Sequence, residues 1–459
     1  MNRRNLKNLA SMAVRTSILL VALCISLFAQ GKNPIILVPG LSGSELVNKN
    51  TGERIWFKTF RSKSEDLRLP VSTELSKSRD SIVPGDILRG VKIGPIPVTD
   101  IYGGFIQTME VRGGYYEETW EAPSEQGYHD SLYVFAYDWR LDNVLNAQRL
   151  IRSVEALKKK LKKPKLKFDI VAHSMGGIIS RYAIMYGDDD LPAGNRKPTP
   201  TWAGSKHFDK VILMGTPNEG SVSSLGAMVN GFTIGGLRID LPFVQDTSKF
   251  TVFTIPTSYE LLPAPGTLRA FDENLEPLDI DIYDPQTWSK YGWNPIDDKD
   301  FVKEFSPTER RAAPAFFTAQ LSRAKRLSEA LTAAPGKSVG VTFFVVGSDC
   351  RAAADAIVVY HERNSEEWKT LFRPRSFTRS DGVKVSEDEV KKVMYAMGDG
   401  VVTTRSLEAV TQSKAAGIVS ILDGGSGKFI CEDHNKLAAN SRIQDYIIGV
   451  LDGKEKAGR

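Results

Sequence analysis

Residues 168–177 read Phe-Asp-Ile-Val-Ala-His-Ser-Met-Gly-Gly. An apolar run of strand length, Phe168 to Ala172, stops at a serine, and an apolar run of helical length begins at Ile178. The switch of period across a serine flanked by small residues predicts strand, sharp turn, helix, with Ser174 at the apex. Such a turn pushes the hydroxyl outward and aims the N-terminus of the following helix at it. The usual pattern is Gly-x-Ser-x-Gly; here Ala172 takes the first place and is still small enough for the turn. The alternative is an ordinary strand–helix turn that happens to hold a serine, so the weight falls on what else the chain carries.

Around this turn, short β-rich apolar runs alternate with helical stretches, which argues for a mostly parallel sheet. The expected central strands are 34–38, 132–136, 168–171, 210–214, 341–346 and 417–422. The expected helices are 143–160, 177–186 and 435–451. Two long intervals interrupt the alternation, 44–100 and 221–338. The second holds Tyr259, Trp288, Tyr291, Trp293, Phe316 and Phe317. Insertions of this size in a compact sheet protein usually form a cap, a lid or a binding surface.

A serine hydroxyl is a weak nucleophile at neutral pH and needs a base, which in turn needs an orienting carboxylate. Of the five histidines, His129 precedes a strand, His207 lies in a loop and His361 sits in a charged stretch. His173 is inside the turn, where its side chain points away from the serine. His434 lies in a loop just before the last expected helix, after Ser174 and near the C-terminus. That is the serine–acid–histidine order of α/β-hydrolases. The acid then belongs between residue 346 and His434. Asp399, in Met-Gly-Asp-Gly-Val-Val, is favoured because flanking glycines let the loop turn sharply; Asp355, Asp381 and Asp423 are fallbacks. The oxyanion donors expected are the Met175 N–H, next to the nucleophile, and the Leu41 N–H in the loop Val-Pro-Gly-Leu-Ser-Gly after the first strand. No zinc-type spacing of histidines or cysteines occurs, no phosphate-cradling glycine loop follows an early strand, and no cofactor is expected.

Read in order, several pieces resemble the lecithin:cholesterol acyltransferase family. They are residues 34–46 with Val-Pro-Gly-Leu-Ser-Gly, residues 56–69 with Lys-Ser-Glu-Asp-Leu, and Tyr137-Asp138-Trp139-Arg140-Leu141. Ala172 to Gly176 follows, then Gly-Thr-Pro-Asn-Glu-Gly-Ser (215–221), Gly-Asp-Gly-Val-Val-Thr-Thr-Arg-Ser-Leu (398–407) and His434. The resemblance implies an α/β-hydrolase core, a small membrane-binding insertion at 44–100 and a cap with a lid at 221–338. It implies a Ser174–Asp399–His434 triad with Leu41 and Met175 as oxyanion donors, the same five residues reached above. It also implies cleavage of a glycerolipid or phospholipid acyl ester through an acyl-serine, with water, a sterol or another alcohol as acceptor, and therefore lipid and a membrane or lipid-particle surface as partners. Trp56 and Phe57 are expected either to contact acyl chains or the lid, or to pack beneath the insertion. Asp138 and Arg140 are expected to pair and brace the turn.

The net charge of +5 is less basic than it looks. Arg3, Arg4, Lys7 and Arg15 supply four positive charges in a stretch without an acid, leaving almost nothing for the rest and no basic field for nucleic acid. That basic start precedes an apolar run over 17–28, too short to span a bilayer comfortably. It reads as a signal peptide, 1–29, ahead of an exported 30–459 domain that is secreted, periplasmic or tethered; an uncleaved anchor is the alternative. Removing it leaves Cys350 and Cys431, which permit one disulfide or remain as two free thiols. A plain lipase or carboxylesterase using only water, and a catalytically inactive lipid-binding protein, are the rival functional expectations.

Overall fold

The computed structural model describes residues 32–58, 67–91, 99–124, 129–194, 196–231, 247–333, 340–362, 364–409 and 428–455. The leader 1–29 and the expected strand 417–422 lie outside them.

The centre is a seven-stranded sheet whose pairings are all parallel. Its strands are β1 (Ile35–Val38), β5 (Tyr116–Glu118), β6 (Ser131–Val134), β7 (Phe168–His173), β8 (Phe208–Met214), β11 (Thr342–Gly347) and β16 (Lys428–Phe429), in the order β16-β11-β8-β7-β1-β6-β5. β1 shows why its strands read as continuous apolar runs. Ile36 and Val38 pack with α2 (Asn143–Lys160) and α3 (Met175–Tyr186), while Ile35 and Leu37 pack with α1 (Gly103–Val111) and α6 (Ser441–Leu451). Both faces are covered by helices, so neither set of alternating side chains can be polar. With the turn after β7, this is the α/β-hydrolase fold.

The interval 44–100 contributes a small antiparallel sheet, β2 (Ser44–Asn48), β3 (Arg54–Trp56) and β4 (Ile82–Ile87), in the order β3-β2-β4. Arg140 anchors this unit. Its guanidinium is buried and forks between Asp138, at 2.8 Å, and Asp80 beyond the sheet, at 2.7 Å. Asp138 and Arg140 do pair, but what they brace is the insertion.

The interval expected to form the cap has its own core of Leu225, Phe253, Tyr259, Trp288, Trp293 and Phe317. Its sheet crosses the boundary expected at 338. β9 (Arg269–Phe271) and β10 (Pro277–Leu278) join β13 (Ala356–His361) and β14 (Trp368–Leu371) in the order β10-β9-β13-β14. The long helix α5 (Pro307–Thr332) joins cap to core: Phe316, Phe317 and Leu321 pack in the cap, Leu327, Ala330 and Leu331 in the central core. The expected helix 435–451 also differs. A short 3-10 turn, His434–Lys436, comes first, and α6 starts only after Asn440, whose side chain caps the amides of Arg442 and Ile443. The buried Leu437 and Ala438 had supplied a helix-like apolar pattern across that break.

Candidate active site

Ser174 has φ 52° and ψ −125°, a left-handed conformation that a side chain adopts only under strain. The surroundings hold it there. Its N–H donates to the Met214 carbonyl at 2.8 Å, and its carbonyl accepts from Gly177 at 3.0 Å. The adjacent glycines are required by close approach. A Cβ on Gly176 would stand 2.4 Å from the Val38 carbonyl oxygen, and one on Gly177 would stand 2.0 Å from Thr216 Oγ1. The helix is thereby pressed against the end of β1, with Met175 as its first residue. First-turn amides have no partner within their own helix, so the Met175 N–H is not used by the helix it begins.

His434 Nε2 lies 2.9 Å from Ser174 Oγ, and His434 Nδ1 lies 2.7 Å from Asp399 Oδ2. Asp399 leaves β15 (Tyr395–Gly398), which pairs with β12 (Arg351–Ala354). Its other oxygen accepts from the amides of Val401 at 3.0 Å and Val402 at 2.7 Å. Burial pushes this carboxyl up, but the His434 charge and hydrogen bond together with the two amides outweigh it and hold Asp399 below its ordinary range. The two loops are also joined through the main chain, His434 N–H to the Asp399 carbonyl at 2.9 Å. Gly215, at φ +61°, ends β8 directly beneath them; a Cβ there would meet Leu437, Asp399 and His434. With Nδ1–H given to the carboxylate, Nε2 is free to accept the Ser174 proton, so the arrangement can activate the serine.

The fallback acids are elsewhere. Asp355 is held by Arg269 at 2.5 Å and Arg405 at 3.1 Å, Asp381 pairs with Arg379 in a hairpin turn, and Asp423 lies outside the described residues.

The loop carrying Leu41 sits beside the serine, since a Cβ on Gly40 would stand 2.9 Å from Ser174 Cβ. Three rings fix it. Tyr137 Oη donates to the Pro39 carbonyl at 2.7 Å, Trp56 Nε1 donates to the Ser42 carbonyl at 2.9 Å, and Tyr102 Oη accepts from the Gly40 amide at 2.9 Å. Trp56 is 1% exposed and packs edge-on against Trp139, with ring centroids 5.1 Å apart, so it braces the loop from within the core, beneath the insertion. Phe57 is half-buried against the same core.

Two motifs that stand apart in the sequence are joined here. In Gly-Thr-Pro-Asn-Glu-Gly-Ser, Asn218 Nδ2 donates to the Leu407 carbonyl at 2.7 Å. The Glu219 amide donates to Ser406 Oγ at 3.1 Å, and the Glu219 carboxylate pairs with Arg405 at 3.0 Å. The segment after β8 and the acid loop are thus zipped together. Arg181 of α3 holds Asn218 from below, Nη1 to Oδ1 at 2.9 Å. No sequence motif singled out Arg181 or Tyr102.

Residues 105–304 match the family model for lecithin:cholesterol acyltransferase. The lecithin:cholesterol acyltransferase match includes Tyr137 to Arg140, Ser174 and residues 215–221, and stops before Asp399 and His434. Among curated proteins the chain is 24% identical over 275 residues to Uncharacterized protein YJR098C of Saccharomyces cerevisiae, covering 59% of this chain and 35% of that one. The chain spans about a third of that relative's length. Among solved structures, the Tle4–Tli4 complex matches with a TM-score of 0.53 at 15% identity, over 93% of this chain and 99% of that chain. EstA from Clostridium botulinum matches with a TM-score of 0.35 at 14% identity, over 92% and 87%. At 15% identity the likeness to the Tle4–Tli4 complex concerns the fold alone.

Proposed function

We propose that this chain is a serine-dependent acyl hydrolase or O-acyltransferase acting on glycerolipid or phospholipid esters. The observation that carries the reading is the continuous hydrogen-bonded line from Asp399 through His434 to a strained, half-buried Ser174. The family match over 105–304 supports the lipid ester as substrate class.

In this reading His434 Nε2 takes the proton of Ser174 Oγ as the oxygen attacks the ester carbonyl. Asp399 stabilises the imidazolium that results. The developing oxyanion is met by the N–H groups of Leu41 and Met175, which cost no reorganisation at the moment of reaction because both are already fixed. His434 then returns the proton to the leaving alcohol, and the acyl-serine is resolved by water or by a second alcohol in the reverse sequence.

Export of the 30–459 domain is part of the proposal. The basic-then-apolar start is its basis, and the Cys350–Cys431 disulfide fits an oxidising compartment. The N-terminal residue of protein recovered from outside the producing cell checks it: a start near residue 30 is expected, and retention of Met1 would sink it.

The deciding experiment incubates the exported domain, beside Ser174→Ala, with phospholipid vesicles with and without sterol or long-chain alcohol. Serine-dependent ester formation on the added alcohol is the expected result for an acyltransferase. Serine-dependent release of free fatty acid alone identifies a lipase or phospholipase that uses water. No product, together with no labelling of Ser174 by a fluorophosphonate, overturns the enzymatic reading in favour of lipid binding.

A further inference from the structure

His173 precedes the nucleophile and turns its side chain away from it, into a buried contact with two other pieces of the site. Its Nδ1 lies 2.7 Å from Tyr102 Oη, and its Nε2 lies 3.1 Å from the main-chain oxygen of His434. A carbonyl can only accept, so Nε2 carries the hydrogen. A neutral imidazole then has a bare Nδ1, which accepts from the Tyr102 hydroxyl. That hydroxyl in turn accepts from the Gly40 amide. The chain Gly40 N–H, Tyr102 O–H, His173, His434 C=O has one sense of donation throughout and leaves no member unsatisfied.

We infer that Tyr102 and His173 form a positioning unit that locks the oxyanion loop to the histidine loop across the back of the nucleophile turn. The inference rests on the acyl-transfer reading of Ser174, Asp399 and His434. Its three anchor points come from separate parts of the chain: the loop after β1, the residue capping α1, and the segment before α6. Without the link, the Leu41 loop is held by Tyr137 and Trp56 and His434 by Asp399, each separately. With it, the donor for the oxyanion and the base for the serine are held at a fixed separation, which transition-state stabilisation requires and substrate binding does not.

The link is built to survive catalysis. The His173 ring centroid is 5.0 Å from that of His434, so a charge on both would be repulsive when His434 takes the serine proton. Burial, then the neighbouring His434, push His173 down to about 3, so it stays neutral. Burial pushes the Tyr102 phenol up, so it keeps its donor hydrogen. Among the described residues, the hydrogen-bond partners of the His173 ring are Tyr102 and His434, and the charged groups that act on it are His434 and, beyond it, Asp399.

The test measures kcat and KM separately for Tyr102→Phe, His173→Gln and the double variant, at a temperature well below every Tm. His173→Gln can still donate to the His434 carbonyl but cannot reach Tyr102 as an imidazole does. Each single variant is expected to lose roughly 10- to 100-fold in kcat with KM within about twofold, as for a misplaced catalytic group. The double variant should lose no more than the worse single one, because both break the same link. Tyr115→Phe, which removes a buried hydroxyl with no partner near Asp169 at the far end of β7, should keep full kcat despite any fall in Tm. A Tyr102→Phe variant with wild-type kcat, or losses that multiply in the double variant, overturns the inference. If Ser174→Ala also kept its activity, the fault would lie in the acyl-transfer reading instead.

Discussion

The behaviour of Asp399 turns on which of its two oxygens faces what. Oδ1 takes the amides of Val401 and Val402, and Oδ2 takes His434 Nδ1. In Asp399→Asn the amide oxygen keeps the two main-chain donors, so the new NH2 points at Nδ1. Nδ1 must then accept, and the ring proton moves to Nε2, where it faces the Ser174 hydroxyl. The base is lost without disturbing the fold. The expected cost is about 10⁴-fold in kcat, the magnitude that the wrong imidazole tautomer carries in serine triads. Steady-state rates on a soluble ester, with fluorophosphonate labelling as a second readout, check this; a loss below tenfold would remove Asp399 from its role. The same residue shows how much chemistry could be read beforehand. Ser174, His434 and Asp399 were legible because each is marked locally, by a change of period, by position near the C-terminus, and by flanking glycines. Tyr102 and His173 were not, because their importance lies only in whom they meet.

Single elements make two further contributions, both through buried charge. Arg140 forks between Asp138 and Asp80, tying the strand-rich 44–100 interval to the segment after β6. Arg140→Met leaves the buried Asp138 and the half-buried Asp80 without their cation, so a destabilisation of about 3–5 kcal/mol is expected. Denaturant titration checks it; a cost under 1 kcal/mol would mean that the anchor is incidental. The second case sits where the cap meets α2. Asp142 caps α2 and is held by Arg323 of α5, while Glu260, ending the short helix α4 (Pro256–Glu260), accepts from the Asn143 amide at 2.8 Å. Burial, then the Asp142 charge, push Glu260 well above its ordinary value of 4.5. An acid whose folded value is raised is protonated in the folded state while the unfolded chain ionises, so stability falls as pH rises from about 4.5. Glu260→Gln can keep the contacts and stay neutral. Its Tm should equal that of the wild type near pH 4 and exceed it increasingly towards pH 8; a gap that does not widen with pH would refute a protonated Glu260 in the folded state. None of this was readable from periodicity. Five of the seven strands of the central sheet were, because burial on both faces leaves an apolar run; the short edge strands β5 and β16 were not, and β5, reading Tyr-Glu-Glu, has no such run. The cap sheet was not, because it draws β9 and β13 from segments more than eighty residues apart that pair only after folding.

At the scale of the molecule, the Cys350–Cys431 bond closes 81 residues that include the β13–β14 part of the cap and the acid loop, and ends three residues before His434. A loop of that length, once closed, removes roughly 4–5 kcal/mol of conformational freedom from the unfolded chain in the chain-entropy account. The folded site, by contrast, has other ties in the same place. Ser348 Oγ accepts from the Glu432 amide at 3.2 Å, Glu432 holds Asn440 at 3.0 Å, and His434 is bonded to Asp399 through both side chain and main chain. The bond should therefore act on the unfolded state far more than on the site. Cys350→Ser/Cys431→Ser is expected to lower Tm by several degrees and to shorten the half-life of activity on heating, while kcat at 25 °C stays within about twofold. Wild-type protein under reductant should reproduce both effects, and the double variant should not respond to reductant. A double variant that is folded at 25 °C by circular dichroism yet has lost most of its kcat would reverse the assignment. The bond would then be setting the distance from Asp399 to His434, and the molecule's activity, rather than its lifetime, would depend on an oxidising environment.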